Sequence, residues 1–187
     1  MRYLSAPLAF CVYCELDTPG EWRGSRELWS DNNFNNCMRD SEDSPFKEYG
    51  IEMNRFLQYK PLCTYHVANH VRAYLDMLYE GRFNEMEGMF LQYINNGECR
   101  RAIFEQVLYR CKHLASYQDI NAFMTKEFGN AWVSFVDAIY RSSMYIGEAV
   151  KDWNPSNNPE DTMPDISTLV LSTPPMEKVT SRVKLNE

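Results

Sequence analysis

Apolar side chains recur at helical spacing over more than half of this chain, and that pattern limits the folds available to it. From residue 44 to residue 150 they follow one another at intervals of three and four residues, as on the core-facing stripe of a helix. Glycines and capping residues divide the region into helix-length segments with short connections, which place consecutive helices side by side. The sequence therefore predicts a mainly α fold, a five- or six-helix bundle over residues 44–150.

Start and stop signals define the individual helices. The first predicted helix begins at Ser44, with Pro45 in its first turn, and its apolar positions run to Leu57. The second begins at Thr64 and ends before Gly81. Four more predicted helices follow, and their first capping or apolar residues are Asn84, Ile103, Ser116 and Asn130.

The chain on either side of this region has a different composition. Residues 1–43 combine an apolar start with Asn- and Ser-rich polar sequence, which predicts an irregular or short-β N-terminal elaboration. Residues 151–187 are rich in Pro, Ser, Thr and Asn, which predicts an extended or disordered tail. The apolar run at residues 6–14 is too short to cross a bilayer, and no small-residue cleavage site follows it. We therefore expect a cytoplasmic protein with no membrane segment.

Charge and motifs exclude several classes of function. The formal net charge of −7 is spread evenly along the chain, and no basic stripe is present. Direct nucleic-acid binding is therefore not expected. The sequence contains no glycine-rich phosphate loop, no G-x-S-x-G and no H-E-x-x-H. It gives no positive indication of an enzyme and favours a non-enzymatic protein without a cofactor.

One cluster of residues predicts an alternative function, that of a metal-binding protein or metalloenzyme. On a helix, His66 and His70 would lie one turn apart on the same face, a spacing that lets two imidazoles bind one zinc ion. Cys63 precedes them and would be a third ligand, and Cys11 and Cys14 would complete a tetrahedral site. Against this, bulky residues separate the last two cysteines, and two histidines at this spacing also occur beside ordinary helix cores.

The favoured function depends on a polar segment near the N-terminus. It contains the candidate binding residues Trp22, Arg23, Arg26, Trp29 and Phe34. Aromatic and arginine side chains in a polar segment are typical of binding hot spots. The alternative is that the rings close one end of the bundle. We expect a protein that binds another macromolecule, with a protein partner favoured, such as an accessory or inhibitor protein of a phage or mobile element.

Overall fold

The computed structural model of the chain describes residues 1–21, 26–57 and 59–151. They fall into two compact units, one from Met1 to Val136 and a second that begins at Asp137. The first unit contains a four-stranded sheet, the core and the candidate site.

The strands form one mixed sheet. They are β1 (Arg2–Leu4), β2 (Met38–Asp40), β3 (Ile51–Leu57) and β4 (Lys60–Ala68), in the order β2-β1-β4-β3. β1 runs antiparallel to β2 and parallel to β4, and β3 forms an antiparallel hairpin with β4. Strands from residues 1–43 and strands from the region after residue 44 therefore share one sheet.

Among the described residues, five of the six α-helices begin at His70 or later. The six are α1 (Asp31–Asn36), α2 (His70–Tyr79), α3 (Phe83–Met86), α4 (Gly97–Gln106), α5 (Tyr117–Phe128) and α6 (Asn130–Lys151). The part of the chain that the structure describes also contains two π-helical segments, Phe90–Ile94 and Val107–Cys111. It contains three short 3-10 turns, Leu8–Cys11, Arg26–Trp29 and Ser41–Asp43.

The predicted mainly α bundle is wrong, because a strand replaces much of the first predicted helix. The second half of that helix is β3, and Thr64, the predicted start of the second helix, lies inside β4. Met53 and Phe56, which the prediction places in the core, are 56% and 75% exposed. The strands that pair here include β1, which is distant in sequence, and local periodicity does not reveal such partners.

The helix signals towards the end of the first unit agree with the structure. α5 ends at Phe128, immediately before Gly129, whose φ of +53° suits a residue without a Cβ. α6 begins at Asn130, as the sequence predicts. The predicted tail lies outside the described residues from residue 152 onwards.

α2 is the central element of the core. Every residue from His70 to Leu78 is buried, and the helix contacts β4, α3, α4 and the segments Leu8–Cys11 and Phe90–Ile94. Buried polar side chains must find hydrogen-bond partners. The partners of the polar side chains on α2 therefore show which segments are fastened to it.

Candidate functional site

A buried polar network fastens β1 and the loop before β3 to α2. Arg72 is fully buried and donates from Nε to Asp76 Oδ1 at 2.8 Å. One guanidinium nitrogen donates to the Lys47 carbonyl at 2.6 Å and to the Tyr49 carbonyl at 2.8 Å. The other donates to the Tyr3 hydroxyl at 2.6 Å, and that hydroxyl donates to Asp76 Oδ2. Because the network consists of the protein's own groups, we assign it a structural role.

His70 lies in the first turn of α2, and its side chain attaches the segment that contains Val12 and Thr18 to that helix. Its Nδ1 lies 2.5 Å from Thr18 Oγ1, and its Nε2 lies 3.0 Å from the Val12 carbonyl oxygen. A carbonyl only accepts, so Nε2 carries the proton and Nδ1 accepts from the Thr18 hydroxyl. Burial lowers the pKa of His70, which keeps the ring neutral, and both of its nitrogens are engaged.

The structure does not bring the predicted metal ligands together. His66 lies on β4, so the one-turn helical spacing to His70 does not exist, and Cys63 is exposed on the same strand. The Sγ of Cys14 accepts a hydrogen bond from the backbone N–H of His70 at 3.4 Å. Within residues 1–21, 26–57 and 59–151, no group of three or more His, Cys, Asp or Glu is arranged to hold a metal ion.

A cleft of about 690 Å³ lies beside the C-terminal half of α2. Ligand pockets typically enclose about 300–1,000 Å³, so its size is adequate for a bound group. The N-terminal segment, the turn before α1, α2 and the chain after α3 supply its apolar lining. The apolar residues are Ala6, Pro7, Leu8, Phe10, Leu28, Met77 and Met89.

A chain of ion pairs borders the same cleft. Arg39 Nε pairs with Glu80, and Arg82 lies 3.6 Å from the second oxygen of that carboxylate. Arg82 also forms a two-point contact with Glu85, at 3.0 and 2.6 Å. The Arg82 guanidinium holds the pKa of the Glu85 carboxyl below its usual range. These pairs fix charged groups around an apolar cavity.

Two thiols line the cleft, and neither is prepared for nucleophilic chemistry. Burial, with a smaller contribution from the negative charge of the neighbouring Glu21, raises the pKa of Cys11 to about 11. Burial also raises the pKa of Cys37. Because the thiolate is the reactive form of cysteine, both groups stay protonated and unreactive near neutral pH.

Two of the predicted binding aromatics are used in packing. Trp29 is 6% exposed and lies 5.8 Å from the ring of Tyr59. Phe34 is 8% exposed and contacts Tyr65 edge-on at 5.1 Å. These rings fasten the α1 region to the β3–β4 hairpin, so their burial serves the fold.

The other predicted binding residues differ in their positions. Arg26 is exposed, whereas Trp22 and Arg23 lie outside the described residues. The segment that contains these residues does border the cleft, through Leu28 and Asn33. Leu28 is 42% exposed, which makes it an apolar side chain of this polar segment that remains open to a partner.

Sequence reasoning missed the cleft because its walls come from distant parts of the chain. One wall includes Leu8 and Phe10 from the apolar run at residues 6–14, and both side chains are buried. The facing wall includes Met77 and Met89. The local signals of the cleft are that apolar run and Leu28, an apolar side chain within a polar segment.

Comparison of the chain with protein-family models, with curated proteins and with solved structures gave no match. Among the residues that the structure describes, no helix is long and apolar enough to cross a membrane. The function must therefore be inferred from the geometry and chemistry of the cleft.

Proposed function

We propose that this protein is a non-enzymatic binding protein whose partner is another protein, and that the partner binds in the cleft beside α2. The observation that carries the proposal is an apolar cavity of about 690 Å³ bordered by ion pairs. The strongest contacts in protein interfaces are anchors that fill desolvated pockets, and the contacts around them exclude water. The lining of the cleft contains both elements, apolar side chains and charged side chains held in ion pairs.

Leu28 is well placed to contact such a partner. It lines the cleft and is 42% exposed, while the adjacent Trp29 is buried in the fold. The buried ring holds the Arg26–Trp29 turn in place, so Leu28 is presented at a fixed position. A partner that covers Leu28 gains apolar contact without the cost of ordering a free segment.

The chemistry of the cleft supports binding rather than catalysis. General acid–base catalysis works best with a pKa near the working pH. The pKa of Glu85 is shifted away from neutrality by Arg82, and the Cys11 and Cys37 thiols stay protonated. These groups hold and shape a surface, and we assign none of them a catalytic role.

A pair of leucine substitutions tests the proposal. Leu28→Ala changes the cleft, whereas Leu91→Ala is a matched control because Leu91 is 68% exposed and does not line the cleft. Tagged full-length proteins would capture a partner from a lysate of the native host, and its affinity for each variant would be measured. Truncation of an interface anchor costs about 1–2 kcal/mol, so Leu28→Ala should weaken binding roughly tenfold. Equal affinity for two folded variants would place the binding site elsewhere.

A further inference from the structure

We infer that the cleft selects a partner segment in which a basic side chain lies next to an apolar one. The inference rests on the proposed function and adds the chemistry of the partner. Its first support is the balance of charge among the lining residues that the structure describes, where acids outnumber bases by two. The acids are Glu21, Glu80, Glu85 and Glu87, and the bases are Arg39 and Arg82.

The bases of the cleft are already committed to groups of the protein. Arg39 donates to Glu80 and to the Asn36 carbonyl, the latter at 2.5 Å. Arg82 makes its two-point contact with Glu85. An acidic partner would therefore have to displace these contacts and would also meet the excess of carboxylates. Charge complementarity favours a basic partner.

Glu87 is the carboxylate best able to receive the partner's cation. Its ion pair is with Lys126, and the two side chains are 52% and 67% exposed. Exposed pairs of this kind contribute little stability, so exchange of Lys126 for a partner's Lys or Arg costs little. Glu87 and Met89 both line the cleft. A basic side chain at Glu87 would therefore be accompanied by an apolar neighbour in the cavity.

The negative charge of Glu21 affects two neutral groups of the cleft, Tyr93 and Cys11. The Tyr93 phenol has a raised pKa, because it donates a hydrogen bond to Glu21. The pKa of Cys11 is raised mainly by burial, and the negative charge of Glu21 is the second cause. Both groups line the cleft, so the negative charge of Glu21 acts on this part of the lining and favours a positive over a negative group there.

A random peptide library displayed on phage, selected against the immobilised full-length protein, tests the inference. Labelled synthetic copies of the enriched peptides would be titrated against the parent, Leu28→Ala, Glu87→Gln and Glu105→Gln. The last variant is a matched control, because Glu105 forms a partly exposed pair with Arg101 and does not line the cleft. We expect enriched peptides that combine a basic and an apolar residue. Glu87→Gln should weaken their binding about fivefold, with little effect from Glu105→Gln.

The outcomes separate this inference from the proposed function. Peptides that depend on Leu28 but lack a basic residue would overturn the charge preference and leave the proposed function standing. Equal binding to Glu87→Gln and Glu105→Gln would do the same. A selection that yields no peptide weakened by Leu28→Ala would overturn both.

Discussion

Replacement of Arg72 by Met should strongly destabilise the fold although Arg72 does not line the cleft. The change keeps a long side chain and removes the guanidinium. It abolishes the hydrogen bonds to Asp76 at 2.8 Å, to the Lys47 carbonyl at 2.6 Å and to the Tyr3 hydroxyl at 2.6 Å. The carboxylate of Asp76 then remains in a site where it is 4% exposed.

The expected cost follows from that burial. Removal of one member of a buried ion pair costs about 3–5 kcal/mol, because the remaining charge is uncompensated. Domains of this size have a total stability on the order of 5–15 kcal/mol, so Arg72→Met would remove a large part of it. Tyr3→Phe deletes only the hydroxyl that links Arg72 to Asp76, and it should cost about 1–3 kcal/mol.

The cost should also depend on pH. Burial raises the pKa of the Asp76 carboxyl, and the Arg72 guanidinium opposes that rise. Without the guanidinium the folded-state pKa rises further, so the folded variant binds a proton that the unfolded chain has released. Such a group stabilises the fold at low pH, and this contribution is lost as the pH rises. The destabilisation by Arg72→Met should therefore be larger at pH 8 than at pH 5.

The measurement is urea unfolding followed by circular dichroism, with free energies obtained by linear extrapolation. Arg101→Met is the matched control, because Arg101 also pairs with an acid four residues later but is 72% exposed. It should change the free energy of unfolding by less than about 0.5 kcal/mol. A cost for Arg72→Met no greater than that of Arg101→Met would refute the reasoning. If Arg72→Met does not fold, Tyr3→Phe supplies the measurement.

Two further substitutions test the packing around α2. Because burial lowers the folded-state pKa of His70 below the unfolded value of about 6.5, the unfolded chain binds more protons there, and stability should fall as the pH drops below about 6.5. The fall in urea midpoint should be smaller in His70→Asn, and an equal fall in both proteins would contradict this. Gly50→Ala should cost more than about 1 kcal/mol, since Gly50 has φ +70° and a Cβ there would lie 2.8 Å from Arg72 Cβ. Gly97→Ala, where no heavy atom lies within 4 Å of the added Cβ, should cost nothing measurable, and similar costs for the two glycines would count against the argument.

The sequence predicted the helices whose signals are local. Gly129 ends α5 at the expected place because its positive φ is a property of that residue and its neighbours. The segment from Ser44 to Leu57 failed for the opposite reason. Phe46 is buried as predicted, but Met53 and Phe56 are exposed, so the apparent helical stripe was not a core stripe. The conformation of its second half is set by pairing between β3 and β4. β4 in turn pairs with β1, which is distant in sequence.

The candidate site shows the same division between local and distant information. Composition drew attention to residues 22–34, and Leu28 in this segment does border the cleft. Composition did not reveal that the Trp29 ring packs against Tyr59, because that residue lies in the turn between β3 and β4 and the sequence predicts helices there instead of a hairpin. Trp29→Ala would therefore remove a ring from the core and confuse loss of folding with loss of binding. Leu28 keeps 42% of its surface exposed, so its truncation is the change that reports on the partner.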